Sequence, residues 1–222
     1  MSASHQTAHG TLRPRWIELQ LVRRGIRDAR VLDAFAKVPR EAFVPREMRR
    51  RALVDAPIPI GCRQTCSQPY VIALSLEAME LRGGERVLDV GTGSGYQAVL
   101  LSHLVAEVYT IEVYTELFTT ARLAIERHAV APVHTRCGDG SLGWPEAAPF
   151  DAIVAGACAP ALPPSLFDQL TPGGRLVLPI GDDQTQGLYR IVKRHDGTLQ
   201  RELLERVLFV PLVGREGTGL LP

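Results

Sequence analysis

The apolar positions of this chain change period near residue 86. Before that point the spacing is helical with interruptions, from Trp16 to Arg50. Asp28 stands as the N-cap of a helix that places Val31, Leu32 and Phe35 on one face and ends at Val38-Pro39. Pro45, Pro57 and Pro59 break regular structure, and Ile58 to Pro69 reads as an ordered loop. Helical spacing resumes from Tyr70 to Leu81.

From Arg86 onward, short apolar runs bounded by glycines replace that pattern. Arg86 to Val90, between Gly83-Gly84 and Gly91, is the signature of a strand buried on both faces. A glycine-rich turn and a helix of about Tyr96 to Val105 follow, then a strand at Glu107 to Ile111 and a helix near Glu116 to His128. Val133 to Cys137, Ala152 to Ala155 and Arg175 to Ile180 predict three more strands. The alternation predicts an α/β fold with a doubly wound, mostly parallel sheet. Leu188 to Arg194, a turn at Asp196-Gly197, and Glu202 to Val210 predict C-terminal antiparallel strands. One domain is expected over residues 16–217, with a helical cap and loop at 16–80 and an α/β core at 81–217. A flexible segment at 1–15 and a tail at 218–222 would flank it.

Composition narrows the function. A chain of 222 residues, 45% hydrophobic and 22% charged, has the means to build one sizeable core. Twenty-five basic against 24 acidic residues give a net charge of +1, so the electrostatic footprint of a nucleic-acid partner is missing. Lys37 and Lys193 are the two lysines; arginine supplies the rest of the positive charge. No run approaches eighteen uncharged apolar residues, which argues against a membrane partner. Residues 1–15 are polar and lack the apolar run of a signal peptide. Cys62, Cys66, Cys137 and Cys158 form no CxxC pair and no zinc spacing, so reduced thiols in a cytoplasmic protein are expected. A monomer is the expected state.

Candidate chemistry starts at Asp89-Val90-Gly91-Thr92-Gly93-Ser94-Gly95. Glycines there let the backbone pass close to a ligand and turn sharply into a helix, whose N-terminal amides face a carboxylate or phosphate. Glu112, 21 residues after Gly91, ends the second strand where a carboxylate accepts both hydroxyls of a ribose. A dinucleotide enzyme would show the same acid, so Glu112 does not discriminate between the two, and an exposed strand-end acid is its plain alternative. The pattern is G-x-G-x-G, without the spacing that admits a pyrophosphate. Asp139, in Cys137-Gly138-Asp139-Gly140, ends the third strand where an acid accepts from an adenine amino group, or else it is a turn aspartate. Asp89 adds a charge that suits a ligand carrying an ammonium group. The set describes a Rossmann-like S-adenosylmethionine-dependent methyltransferase site, with no metal.

The residues after the fourth strand exclude several chemistries. Ala155-Gly156-Ala157-Cys158-Ala159-Pro160 lacks the Asn/Asp-Pro-Pro-Tyr/Phe run of amine and amide methylation. Cys158 stands in the wrong context for a cytosine-attacking nucleophile, and clustered oxygen ligands for a metal-dependent enzyme are not evident.

At larger scale the chain resembles the protein-L-isoaspartate (D-aspartate) O-methyltransferase family, from about Leu21 to Gly217. The likeness runs through Val38-Pro39-Arg40, Phe43-Val44-Pro45 and Pro59-Ile60-Gly61. It continues in Tyr109-Thr110-Ile111-Glu112, Gly138-Asp139-Gly140-Ser141, Pro172 to Val177 and Phe209-Val210-Pro211-Leu212. Its most specific part is Gln64-Thr65-Cys66-Ser67-Gln68-Pro69. The resemblance implies methyl transfer from S-adenosylmethionine to the α-carboxyl of L-isoaspartyl residues in damaged proteins and peptides, and leaves open the β-carboxyl of D-aspartyl residues. It implies that Ser67 is the active-site hydroxyl and that Gln64, Thr65, Cys66 and Ser67 lie over cofactor and substrate. A helix cap is the alternative role for Ser67. The alternative activity is that of a relative esterifying ordinary aspartate in a dedicated peptide during maturation. Cys66, Cys62-Arg63 and Gly156-Ala157-Cys158 depart from the family's usual residues, which bears on substrate preference. Arg63 is read as an exposed loop arginine. His103, His128, His134 and His195 are assigned no role, because an aspartyl-type carboxyl with a reference pKa near ~4 is already ionised and needs no general base.

Overall fold

The structure, a computed structural model, describes residues 14–219. Residues 14–20 form a helix (α1), so the expected flexible segment at 1–15 overlaps it; the rest of that segment, and residues 220–222 of the tail, lie outside the described residues. Helix α2 (Ala29–Lys37) starts where the sequence sets it. The Asp28 side chain accepts from the backbone N–H groups of Arg30 (2.8 Å) and Val31 (3.4 Å), two donors that a helix start leaves open. Val31, Ala34 and Phe35 are buried beneath it, with Leu32 only half-buried. Three short 3-10 segments, Val22–Arg24, Arg40–Phe43 and Arg46–Arg51, supply the interruptions.

The expected loop at 58–69 is mostly a β-hairpin. Strands β1 (Ile58–Gly61) and β2 (Gln64–Cys66) pair antiparallel, with Ile58 opposite Cys66. Cys62 and Arg63 make the two-residue turn, both left-handed at φ 49° and 57°. That turn geometry favours Asn-Gly, so Cys-Arg gave no hairpin signal in the sequence. Helix α3 (Pro69–Ala78) follows, opened by proline in its first turn and ending short of the expected Leu81.

The core strands are β3 (Arg86–Val90), β4 (Glu107–Glu112), β5 (Val133–Cys137), β6 (Phe150–Ala155) and β7 (Leu170–Gly181). They run parallel, and the antiparallel strands β8 (Gln186–Lys193) and β9 (Leu199–Val207) complete the order β5-β4-β3-β6-β7-β8-β9. Strand β7 begins before the expected Arg175, running through Gly173-Gly174, and β9 lies closer to its turn than the expected Glu202 to Val210. Helices α4 (Tyr96–Ser102), α5 (Thr115–His128) and α6 (Pro164–Asp168) connect them. Helix α4 stops at Ser102, three residues short of the expected Val105. The Ser102 hydroxyl bonds back to the Val99 carbonyl (2.7 Å) and accepts from the Val130 N–H (3.2 Å). Helix α6 is too short to leave a periodic signal.

Strand residues alternate between two hydrophobic clusters. Val87, Ala152, Val154 and Val177 join the cluster under the N-terminal helices, where Trp16, Leu21, Phe35 and Tyr96 pack. Leu88, Val90, Ile153, Ala155, Leu176 and Leu178 join the cluster on the other face with Leu166 and Leu212. Two buried faces are why these strands read as continuous apolar runs. The cap and the sheet share one of these cores.

Candidate active site

Strand order reverses between β3 and β6, so the crevice beyond their carboxyl ends is where an α/β fold binds a ligand. The glycine turn follows β3 there. Gly91, Gly93 and Gly95 all take left-handed φ values (90°, 55° and 85°), which glycine alone adopts freely. The N–H groups of Gly91 and Thr92 both donate to the Ile111 carbonyl, at 2.9 and 3.1 Å, fixing the turn against the end of β4. The hairpin covers this turn: a Cβ at Gly93 would stand 3.4 Å from Ile60 Cδ1.

Glu112 closes β4 and is 4% exposed. Its Oε2 accepts the Gly93 N–H at 2.7 Å and its Oε1 the Tyr114 N–H at 3.0 Å. Burial pushes its pKa up, opposed by the Tyr114, Gly93 and Val113 N–H groups. Glu112 lines a narrow cavity with Gln64, Thr65, Gly91, Gly93 and Gly140. About 50 Å³ of it is free to water, and about 500 Å³ when its open mouth is counted. A second small cavity joins Thr65, Cys66 and Ser67 to Gly91, Thr92, Gly93 and Ser94. The structure thus brings the Gln64 to Ser67 stretch onto the glycine turn, although they are far apart in sequence.

Three sequence candidates lie beside the cavities and do not line them. Asp89 is fully buried beneath the turn; its carboxylate accepts from Gln97 Nε2 (2.7 Å) and Thr110 Oγ1 (2.9 Å). Thr110 Oγ1 also meets Thr92 Oγ1 at 2.6 Å, so Asp89 braces the turn from below. Burial raises the Asp89 pKa to about 7, with the Glu112 charge adding to the rise and the two hydrogen bonds opposing it. Gly95 faces α5, where a Cβ would meet Ile125 Cγ1 at 3.1 Å. Asp139 has its carboxylate engaged by Ser141 N–H (2.9 Å), Ser141 Oγ (2.6 Å) and Arg215 N–H (2.8 Å). In this structure it acts as the turn and capping aspartate that the sequence left open.

Ser67 does not cap α3. The residue at the cap position is Gln68, with no side-chain capping bond. The helix start is satisfied by Asp55, whose Oδ1 accepts the Tyr70 N–H (2.9 Å) and whose Oδ2 accepts from Gln68 Nε2 (2.8 Å) and Arg24. Ser67, half-buried, lines a groove of about 610 Å³ together with Arg24, Tyr70, Arg206 and Phe209. Arg24 lies flat on the Tyr70 ring, 3.5 Å from its centroid. Arg63 sits exposed at the hairpin tip.

Sequence reasoning missed the C-terminal wall of the cofactor-side cavity, Val210 to Val213, along with Tyr114, whereas Gly156 and Ala157, named in the sequence as family departures near the site, do line it. Phe209-Val210-Pro211-Leu212 was visible as a family-like stretch, but its place in the fold depends on long-range bonds. Cys158 N–H donates to the Val210 carbonyl (2.8 Å) and Leu212 N–H to the Cys158 carbonyl (2.7 Å). The Cys158 thiol is pushed up to about 11 by burial and by Asp182 and Asp183, which keeps it protonated and unreactive at neutral pH. Among the described residues, no three His, Cys, Asp or Glu side chains meet in a way that would hold a metal ion. No described helix is long and apolar enough to cross a membrane.

A glycine turn after the first core strand, with a buried acid closing the next, defines a Rossmann-like nucleotide site, and the likeness of the whole chain to known proteins makes it a methyltransferase of the S-adenosylmethionine-dependent class. The family model for protein-L-isoaspartate (D-aspartate) O-methyltransferase matches residues 16–217, and the chain belongs to that family. It is 50% identical over 207 residues to protein-L-isoaspartate O-methyltransferase 2 of Marinobacter nauticus, covering 93% of this chain and 94% of that one. A Geobacter metallireducens relative named protein-L-isoaspartate O-methyltransferase is 48% identical, covering 93% of this chain and 96% of its own. Among solved structures, a Plasmodium falciparum protein described as a protein-L-isoaspartate O-methyltransferase, in complex with S-adenosyl-L-homocysteine, aligns with a TM-score of 0.77 and 30% identity. That alignment covers 90% of this chain and 97% of the other.

The residues present fit such a cofactor: Glu112 is a buried acid lining the cavity, and Gly91, Gly93 and Gly140 line it beside that acid without side chains.

Proposed function

We propose that this protein transfers a methyl group from S-adenosylmethionine to the α-carboxyl of L-isoaspartyl residues in damaged proteins and peptides, and that Ser67 is its active-site hydroxyl. The observation that carries the assignment of Ser67 is its placement: with Thr65 it lines both the cavity on the glycine turn and the open groove, and of these two hydroxyls Ser67 is the one the family resemblance gives as the active-site group. A peptide carboxylate lying in the groove would therefore meet the cofactor side at Ser67.

The chain's own part is positioning. The substrate carboxylate is an anion at neutral pH, so no residue need remove a proton. The Ser67 hydroxyl donates a hydrogen bond to one carboxylate oxygen and holds the group in line. Glu112 would hold the ribose hydroxyls, and the Gln64 to Cys66 strand excludes water that would solvate the nucleophile. When bound, S-adenosylmethionine supplies an electrophilic methyl group, which the carboxylate oxygen accepts while the sulfur keeps the bonding pair.

One chain builds both cavity and groove, which supports a monomer as the active unit. Free thiols at Cys62, Cys66, Cys137 and Cys158 support a reducing, cytoplasmic location. The domain reading of residues 16–217 as one unit is supported by the core shared between cap and sheet.

The test is incubation with methyl-labelled S-adenosylmethionine and a matched peptide pair containing normal aspartate or isoaspartate. Label is expected on the isoaspartyl peptide alone, as a base-labile ester. Equal labelling of both peptides would overturn the repair assignment and favour a peptide-maturation enzyme.

A further inference from the structure

Arg40 lines none of the cavities above, yet it is 1% exposed and tied to five backbone carbonyls. Its Nη1 donates to the carbonyls of Ala52 (3.0 Å) and Val54 (3.1 Å). Its Nη2 donates to those of Ala56 (2.9 Å), Cys66 (3.2 Å) and Ser67 (2.9 Å). No carboxylate pairs with it among the described residues, and its Nε has no partner there. A buried cation without a counter-ion is costly to desolvate, but an apolar side chain here would leave five carbonyls without a donor, so Arg40 ties the two segments together as well as holding them in place. Turnover per folded molecule, and not Tm alone, separates a stabilising role from a positioning one.

Its five acceptors lie on two segments, 52–56 and 66–67, and the same two segments are fastened a second time by Asp55. Asp55 holds the Gln68 side chain and the Tyr70 N–H. Ser67 is thus clamped on both sides: its own carbonyl and the preceding one by Arg40, the residues after it by Asp55. Ser67 meanwhile is not the cap residue of α3, and it lines both cavity and groove.

We propose that Arg40 is a positioning residue for methyl transfer, acting through the Cys66 and Ser67 carbonyls to fix the Ser67 hydroxyl where cofactor cavity and groove meet. This rests on the role given to Ser67 above. The planar guanidinium fork directs its donors along fixed lines, which the single ammonium of lysine does not reproduce.

A double-mutant cycle on the full-length enzyme tests it, with kcat and KM for isoaspartyl peptide and S-adenosylhomocysteine affinity measured for Arg40→Lys, Ser67→Ala and the pair. Misplacement by ~1 Å can cost about 100-fold, so Arg40→Lys is expected to lower kcat by about tenfold or more while cofactor affinity changes by less than about threefold. The pair should then be little slower than Ser67→Ala alone: in the Ser67→Ala background, Arg40→Lys should cost less than about threefold further, because a residue acting through Ser67 loses its effect with it. Independent, multiplicative losses would overturn the proposal, as would an Arg40→Lys enzyme with a lower Tm and normal kcat per folded molecule. Full turnover by Ser67→Ala in the wild-type background would instead refute the Ser67 assignment, and the positioning role with it. If Arg40→Lys does not fold, Arg40→Gln, which keeps an amide donor, enters the same cycle. Wild-type enzyme labelled with ¹⁵N-arginine adds a readout without substitution. The protected Arg40 Nη signals should shift on adding isoaspartyl peptide, and unmoved signals would count against the proposal.

Discussion

The carboxylate of Asp55 accepts the backbone N–H of Tyr70 at 2.9 Å, so the start of α3 is capped from a distant loop and not by the serine two residues before it. This division of labour frees the Ser67 side chain. It also makes the two roles open to Ser67 experimentally separable.

Ser67→Ala is expected to keep its Tm within the range of a neutral surface change, to bind S-adenosylhomocysteine normally, and to lose about 100-fold in turnover of isoaspartyl peptide. Asp55→Ala should do the opposite to stability, costing about 1 kcal/mol as a lost cap. Thermal melts, cofactor titration and initial rates on the same preparations check this. A destabilised Ser67→Ala with normal turnover would remove Ser67 from the chemistry.

Glu112→Ala should weaken S-adenosylhomocysteine binding by one to two orders of magnitude, since hydrogen bonds to a charged acceptor are each worth roughly 1.5–3 kcal/mol. The Gly93 and Tyr114 N–H groups that Glu112 now accepts would also lose their partner, loosening the glycine turn. Calorimetric titration measures the loss; an unchanged affinity in a folded variant would place Glu112 outside the ribose subsite.

Asp89 gives stability a pH dependence. Its pKa in the folded protein is raised to about 7 from 3.8, so the folded state holds this proton more tightly than the unfolded chain. The associated stability is complete below the unfolded value and is lost as pH rises from about 4 through about 7. Asp89→Asn should flatten the Tm profile between pH 4.5 and 8, and gain relative to wild type at the alkaline end. Parallel profiles for the two proteins would mean that Asp89 stays ionised throughout.

Gly214→Ala probes the C-terminal wall of the cavity. A Cβ there would lie 2.0 Å from Asp139 Oδ1 and 2.5 Å from Ser141 Oγ, on a backbone held at φ 148°. The bonds from Arg215 N–H to Asp139 and from Glu216 N–H to Ser141 Oγ would break. A stability loss of about 1–3 kcal/mol is expected, with faster release of bound S-adenosylhomocysteine as Val210 to Val213 swing away. Stopped-flow dissociation kinetics would detect it; an unchanged off-rate would show that this wall does not gate the cavity.

The sequence by itself determined the sheet and the class of site. Arg86 to Val90 became a strand with the expected ends because burial on both faces and flanking glycines act locally, and Val133 to Cys137 kept its expected ends as the half-exposed edge strand. Gly91, Gly93 and Glu112 were legible for a similar reason: their roles follow from where a strand stops. Only the tertiary structure decided the rest. The Cys62-Arg63 turn carries no local preference for its geometry, so the hairpin under Ser67 exists through its packing on the glycine turn. Asp89 and Asp139 are acids whose partners, Thr110 for one and Arg215 for the other, come from distant strands and loops. Arg40 reads in sequence as one more arginine after a proline. Its meaning lies in five carbonyls contributed by two remote segments, and no spacing rule along a single chain records which carbonyls a folded loop will turn inward.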